Sequence, residues 1–114
     1  MNETIVKIAE HLKHLKCKNI AVFDLSEGGG EKFFIVASAL NCEATKHVAD
    51  ELAEKINYTG EKDGYHKGEW IILNDSPYII HIFTVTDRAK YNIDKLYKSR
   101  DIDIAKYIKK KKSK

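Results

Sequence analysis

The chain has 114 residues, of which 43% are hydrophobic and 32% charged, and its formal net charge is +3. This length suits one compact domain, and the apolar content excludes a wholly disordered chain. No apolar run approaches the roughly 20 residues needed to span a bilayer, and the first residues do not resemble a secretory signal peptide. Cys17 and Cys42 lack a C-x-x-C spacing. We therefore expect a cytoplasmic protein without a membrane segment, with two reduced thiols.

The net charge is unevenly distributed along the chain. Six lysines and no acid lie within the last nine residues, whereas residues 1–105 carry 14 basic and 17 acidic side chains. This distribution predicts a mildly acidic domain, residues 1–100, followed by a basic and flexible tail, residues 101–114. The tail either contacts RNA phosphates or only keeps the chain in solution, and the sequence favours neither. The lysines that would contact RNA are Lys109, Lys110, Lys111 and Lys112.

The first half of the predicted domain begins with a helix and a pair of strands. Apolar residues recur at helical spacing through residues 3–16, and either Asn2 or Thr4 is placed to cap this helix. In residues 19–25 and 33–38, the side chains that alternate between the two faces of a strand are mostly apolar on either face. This pattern predicts strands covered on both faces. Three consecutive glycines separate these strands, so we expect an antiparallel hairpin.

The middle of the chain predicts a second helix and a second hairpin. Residues 42–56 have an apolar stripe at helical spacing, and Asn41 is a suitable N-cap. Strands are predicted at residues 70–73 and 78–85, and the residues 74–77 between them have turn chemistry.

The last predicted elements are short. A helix is expected to begin after Thr86 or Asp87, another helical turn is expected at residues 93–97, and the chain is expected to be weakly structured from about Arg100. Helices and hairpins in this order predict an α/β fold, with a mixed sheet of four or five strands flanked by helices.

No motif predicts catalysis. The glycine run at residues 28–30 lacks the Lys-Ser/Thr of a P-loop. A strand follows it, whereas a helix follows the glycine loop of a Rossmann fold. Asp24 ends a strand and is a candidate metal ligand, but nucleotidyl transfer requires at least two converging carboxylates, and no Asp-x-Asp pair lies in that strand. We therefore expect no metal, no cofactor and no enzymatic activity.

The five histidines lack the spacing of a metal-ligand set. His81 differs from the others because it lies mid-strand among isoleucines, on the same face as Ile79 and Phe83. It is either a core histidine bonded to a neighbouring element or a polar anchor in a binding surface.

Three segments in the second half of the chain carry a resemblance to a known family. Gly68-Glu69-Trp70 precedes an aliphatic strand, Ile79–Phe83 reads aliphatic-His-aliphatic-Phe, and Asp87–Tyr97 contains an Arg and a Tyr at helical spacing. In this order and spacing they resemble the ribosomal silencing factor family, RsfS, also called Iojap. The resemblance extends over about residues 3–98, and Leu96-Tyr97 in place of the family's Leu-Trp is typical of a divergent member.

The resemblance implies a nucleotidyltransferase-like sandwich without catalytic carboxylates. It further implies a non-enzymatic protein that binds the large ribosomal subunit through its fourteenth ribosomal protein, blocks joining of the small subunit and represses translation when nutrients are scarce. Members of the family are commonly homodimers when free.

The last hairpin and the following helix supply the residues expected to contact the ribosomal protein. Trp70 and Phe83 are equally well explained as core residues. The expected contacts are Glu69, Trp70, His81, Phe83, Asp87, Arg88 and Tyr91. Two alternatives stay open: a catalytic or nucleotide-binding relative of the nucleotidyltransferases, and an RNA-binding module that acts through the tail.

Overall fold

A computed structural model of the chain describes residues 2–105 and 107, which form one mixed sheet with helices on both of its faces. The helices are α1 (Glu3–His14), α2 (Cys42–Lys55), α3 (Val85–Tyr91) and α4 (Ile93–Leu96), with a 3-10 turn at Lys98–Arg100. The strands are β1 (Lys18–Asp24), β2 (Phe33–Ala39), β3 (Lys62–Asp63), β4 (Trp70–Asp75), β5 (Tyr78–Thr84) and β6 (Asp101–Ile102). In the sheet they follow the order β3-β4-β5-β2-β1-β6.

Both predicted hairpins are confirmed, and the sheet is mixed as expected. β1 pairs with β2 and β4 pairs with β5 in antiparallel fashion, while β2 and β5 at the centre run parallel. The sheet has six strands where four or five were expected, and the two edge strands, β3 and β6, have only two residues each. Such short segments have no readable periodicity, because a strand pattern needs several alternating residues.

The two long helices begin at the predicted caps. The side chain of Asn2 accepts a hydrogen bond from the Thr4 N–H at 2.8 Å, and that of Asn41 accepts one from the Ala44 N–H at 2.8 Å. Each bond satisfies a backbone donor that has no partner within its own helix.

The main core lies between these two helices and one face of the sheet. The buried stripes of α1 and α2 pack on the alternating aliphatic residues of the four longer strands. The sheet residues on this face include Val22, Ile35, Ala37, Ile71, Leu73, Ile80 and Ile82, all fully buried.

Two predicted boundaries were wrong. Val85 was expected to end a strand, but it is the first residue of α3, because the Thr84 hydroxyl caps that helix by accepting from the Asp87 N–H at 3.1 Å. The chain was expected to be weakly structured from about Arg100, yet β6 pairs with β1 and Ile104 is only 4% exposed in the main core. The edge of β1 thus gains a partner strand that sequence pattern alone does not reveal.

Among residues 2–105 and 107, no helix has the length and apolar character needed to cross a membrane.

We predict that Ile104→Ala lowers the free energy of unfolding by about 3 kcal/mol, because it opens a cavity in a packed core. Urea unfolding followed by circular dichroism measures this change. Leu96→Ala is the matched control: Leu96 is 72% exposed, so its truncation should cost less than about 0.5 kcal/mol. Equal stability of the two variants would show that residues 101–104 do not belong to the folded domain.

Candidate functional site

The sheet face opposite α1 and α2 is lined by aromatic side chains rather than covered by a long helix. We call this set the aromatic layer: Phe23, Phe34, Trp70, His81, Phe83, Tyr91 and Tyr97. The Trp70 ring stacks on Phe83 with centroids 4.8 Å apart and contacts Tyr91 at 4.9 Å. Strand register explains this arrangement, because Trp70 lies directly opposite Phe83 in the β4–β5 ladder.

The layer has a buried floor and an accessible rim. Phe83 is fully buried and His81 is 5% exposed, whereas Trp70 is partly exposed and Tyr91 is 47% exposed. A partner approaching this face therefore meets Trp70 and Tyr91 first. Phe83 and His81 lie beneath these two rings and do not contact the partner directly.

Trp70 is fixed by a hydrogen bond to His81. Its indole N–H donates to His81 Nδ1 at 3.0 Å, which requires that nitrogen to be unprotonated. Burial lowers the pKa of His81 from 6.5 to about 4, so the imidazole is neutral at pH 7. His81 Nε2 has no hydrogen-bond partner and is the one such buried side-chain atom within the part of the chain that the structure describes.

Arg88 is held inside the protein by polar contacts. Its side chain is 11% exposed and donates two hydrogen bonds to the Asp94 carboxylate, at 3.0 and 2.7 Å. It also donates to Ser38 Oγ at 3.0 Å and to the Asn19 carbonyl. These bonds join α3 to α4 and to the sheet, and they add to the packing of Ile93 on the sheet face. Arg88 thus supports Tyr91, one turn further along α3.

The two expected acidic contacts lie at the edges of the aromatic layer. Glu69 is exposed and, with Trp70, Tyr91 and residues 62–67, lines a groove of about 530 Å³. Asp87 is partly exposed at the start of α3, where its carboxylate accepts from the Thr84 hydroxyl at 2.5 Å. The structure therefore brings Glu69, Trp70 and Tyr91 to one opening.

Some residues of this face were not expected from the sequence. Phe34 and Tyr97 extend the aromatic layer, with centroids 5.3 Å apart. The ammonium groups of Lys32 and Lys90 lie 5.7 Å from the Phe34 ring and 5.6 Å from the Tyr91 ring. Strand alternation could have revealed Phe34, since it shares a face with Val36, and both lysine contacts join residues that are close in sequence. The rim therefore carries both signs of charge.

The glycine loop and Asp24 have local structural roles. The loop joins the antiparallel strands β1 and β2, as expected, and Gly29 has a φ of +87°, a conformation that glycine adopts without strain. The Asp24 carboxylate accepts from the Ser26 N–H at 2.9 Å, and this hydrogen bonding to Ser26 keeps the pKa of Asp24 below its ordinary value. Arg100 ties the loop to the end of the domain by donating to the Asp24 carbonyl at 2.9 Å.

The predicted tail, residues 101–114, lies only partly outside the described residues, because residues 101–104 belong to the folded domain. The expected RNA contacts at Lys109, Lys110, Lys111 and Lys112 do lie outside the described residues and stay a prediction from sequence.

A family model described as "Ribosomal silencing factor during starvation", RsfS, matches residues 1–114. The chain belongs to the RsfS family. This membership confirms the resemblance read from the three motifs and supports a role in ribosomal silencing. The family is known as regulatory and ribosome-associated.

Relatives of this RsfS-family chain share its sequence and fold. A curated protein named ribosomal silencing factor RsfS, from Halalkalibacterium halodurans, is 24% identical over 95 residues, which are 80% of this chain and 75% of that protein. A crystal structure of a protein from Chromobacterium violaceum is similar with a TM-score of 0.72 and 24% identity, covering 85% of this chain and 87% of that one. A structure from Bacillus halodurans is similar with a TM-score of 0.68 and 17% identity, covering 90% and 99%.

We predict that His81 makes the RsfS-family domain sensitive to acid. The pKa of His81 is lower in the folded state, about 4, than its ordinary value of 6.5, so the unfolded state binds the extra proton between these pH values. The contribution of neutral His81 to the free energy of unfolding is therefore fully present above about pH 6.5. It falls by on the order of 3 kcal/mol as the pH drops to about 4. Urea unfolding of the wild type and His81→Phe from pH 7 to pH 4 tests this. Equal losses in the two proteins would contradict it, because the carboxylates that also titrate are common to both.

We predict that Arg88→Lys lowers the free energy of unfolding by about 2 kcal/mol, because lysine cannot form the paired bonds to Asp94 and also reach Ser38. Lys62→Met is the control, since it removes an ion pair with Asp50 in which both side chains are 31% or more exposed. That change should cost less than about 1 kcal/mol. Equal costs in urea unfolding would mean that Arg88 does not hold α3 and α4.

Proposed function

We propose that this RsfS-family chain binds the large ribosomal subunit through its fourteenth ribosomal protein and sterically blocks joining of the small subunit. Translation is thereby repressed under nutrient limitation. In this proposal the protein acts in the cytoplasm as a non-enzymatic factor, and it is a homodimer when free. Family membership supports the ribosomal part of the proposal, and the accessible rim of the aromatic layer supports the choice of contact surface.

The pairing of Trp70 with Tyr91 is the observation that carries the choice of surface. Both rings are accessible, both are held by neighbours, and both belong to residue types that dominate binding energy at protein interfaces. Large aromatic side chains have few torsions to freeze on binding, and here those torsions are already restricted. Phe83 and Arg88 contribute by supporting these two rings.

Charge favours a basic partner for this surface. Residues 1–105 have an excess of three acidic side chains, and ribosomal proteins are commonly basic, so long-range attraction should speed their encounter. Glu69 lines the same groove as Trp70 and Tyr91, and Asp87 lies one helical turn before Tyr91 on α3. Lys90 already lies over the Tyr91 ring, so a basic side chain of the partner can take the same kind of contact after displacing it.

We expect the wild-type protein to co-sediment with purified large subunits and, at several-fold excess, to reduce the yield of joined ribosomes in sucrose gradients. Tyr91→Ala should weaken binding by about 2 kcal/mol, or roughly 30-fold, because it removes a central anchor. Circular dichroism first shows that the variant is folded. If the wild type leaves subunit joining unchanged, the proposed function is wrong, and if Tyr91→Ala binds normally, the proposed surface is wrong.

We expect Glu69→Lys to slow association with large subunits, most visibly at low salt, while changing stability by less than about 0.5 kcal/mol. Glu54→Lys is the matched control, because Glu54 is an exposed glutamate on α2, on the far side of the sheet. A stopped-flow measurement of the association rate separates the two. Equal rates for both reversals would show that net charge, and not this surface, governs the encounter.

A variant that ends at Tyr107 separates the aromatic layer from the basic tail. We expect it to keep most of its affinity for large subunits and to show weaker salt dependence, because tail contacts would be made to RNA phosphates. Loss of binding on removal of the tail, together with normal binding of Glu69→Lys and Tyr91→Ala, would favour an RNA-binding module that acts through the tail.

A further inference from the structure

His81 is an unusual residue for its position in the aromatic layer. It lies near the middle of β5, 5% exposed, with the Phe34 ring centroid 4.5 Å away and Phe83 on the same face. A phenylalanine would fill such a place with carbon atoms alone. The histidine instead brings two ring nitrogens into an apolar setting, so its presence calls for a physical reason.

Stability does not supply that reason. His81 Nε2 carries the proton when Nδ1 accepts from Trp70, and this buried N–H has no partner within the described residues. A buried donor without a partner loses its hydration and gains nothing in return, which usually outweighs the net benefit of one neutral hydrogen bond. The Trp70 N–H does not need His81 either, because a partly exposed indole can donate to water.

The bond does determine how Trp70 is presented. Without it, the indole ring could turn about its second side-chain torsion, which has a broad range of favourable values. With it, the N–H edge of the ring is directed at β5, while the ring contacts both Phe83 and Tyr91. A partner therefore meets carbon atoms of the Trp70 ring rather than its hydrogen-bond donor.

We infer that His81 is a positioning residue for the docking surface: it fixes the orientation of the Trp70 indole and does not contact the partner itself. The identity of the partner rests on the proposed function, whereas the fixed orientation of Trp70 is a property of this chain alone. A residue that lowers stability while ordering a contact surface is expected where binding, not folding, determines which side chain is kept.

Two substitutions separate positioning from packing. His81→Phe keeps an aromatic ring and removes the acceptor, while His81→Asn keeps an acceptor oxygen at the place of Nδ1 in a smaller side chain. Trp70 is the single tryptophan of the chain, so its indole N–H gives one resolved signal in a proton–nitrogen NMR spectrum. Hydrogen exchange of that signal reports the bond, urea unfolding reports stability, and co-sedimentation with large subunits reports binding.

We expect slow indole exchange in the wild type and in His81→Asn, and fast exchange in His81→Phe. At pH 7, His81→Phe should be at least as stable as the wild type yet bind large subunits about 10-fold more weakly. His81→Asn should be less stable than His81→Phe but bind more tightly. His47→Phe, at an exposed position on α2, is the control and should change neither exchange nor binding.

Three results would overturn the inference. They are slow indole exchange in His81→Phe, wild-type binding by His81→Phe, and binding by folded His81→Asn that is no tighter than that of His81→Phe. If the wild type itself fails to bind large subunits, the proposed function is wrong, and the exchange data alone then decide whether His81 fixes the indole.

Discussion

The main constraint on this structure is that its single sheet has two apolar faces, while both long helices pack on the same face. α1 and α2 close the aliphatic core, so the second face depends on α3, α4 and its own side chains for cover. Aromatic rings suit that task because each covers a large area while leaving an edge or a face toward solvent. The candidate site is thus a consequence of how the layers are arranged.

The short helices on the second face are held by polar contacts. These contacts add to the apolar packing of Tyr91 on Trp70 and of the partly buried Ile93 on the second face. Arg88 joins α3 and α4 to the sheet, and Thr84 and Asp87 fix the start of α3 by bonding to each other. This arrangement leaves the Tyr91 side chain accessible and also restricts its motion. It favours binding, because the side chain has little conformational entropy left to lose.

Periodicity and capping made much of this fold predictable, and contacts between distant residues account for the rest. The cap at Asn41 follows from local chemistry, because the side chain bonds within its own helix. The pairing of residues 101–102 depends on the edge of β1, which lies some 80 residues away in sequence and has no local signal. In the candidate site, the motifs pointed to Trp70 and Tyr91, while the role of His81 stayed open because its bond depends on the register of two strands.

The central claim is that the aromatic layer, and not the face that carries α1 and α2, meets the large ribosomal subunit. Hydrogen–deuterium exchange of the protein, alone and bound to large subunits, tests this most directly because it maps protection along the whole chain. The account predicts that binding slows exchange in residues 68–72 and 85–91 and leaves the exposed side of α2 unchanged. Protection confined to α1, α2 or the basic tail would contradict it.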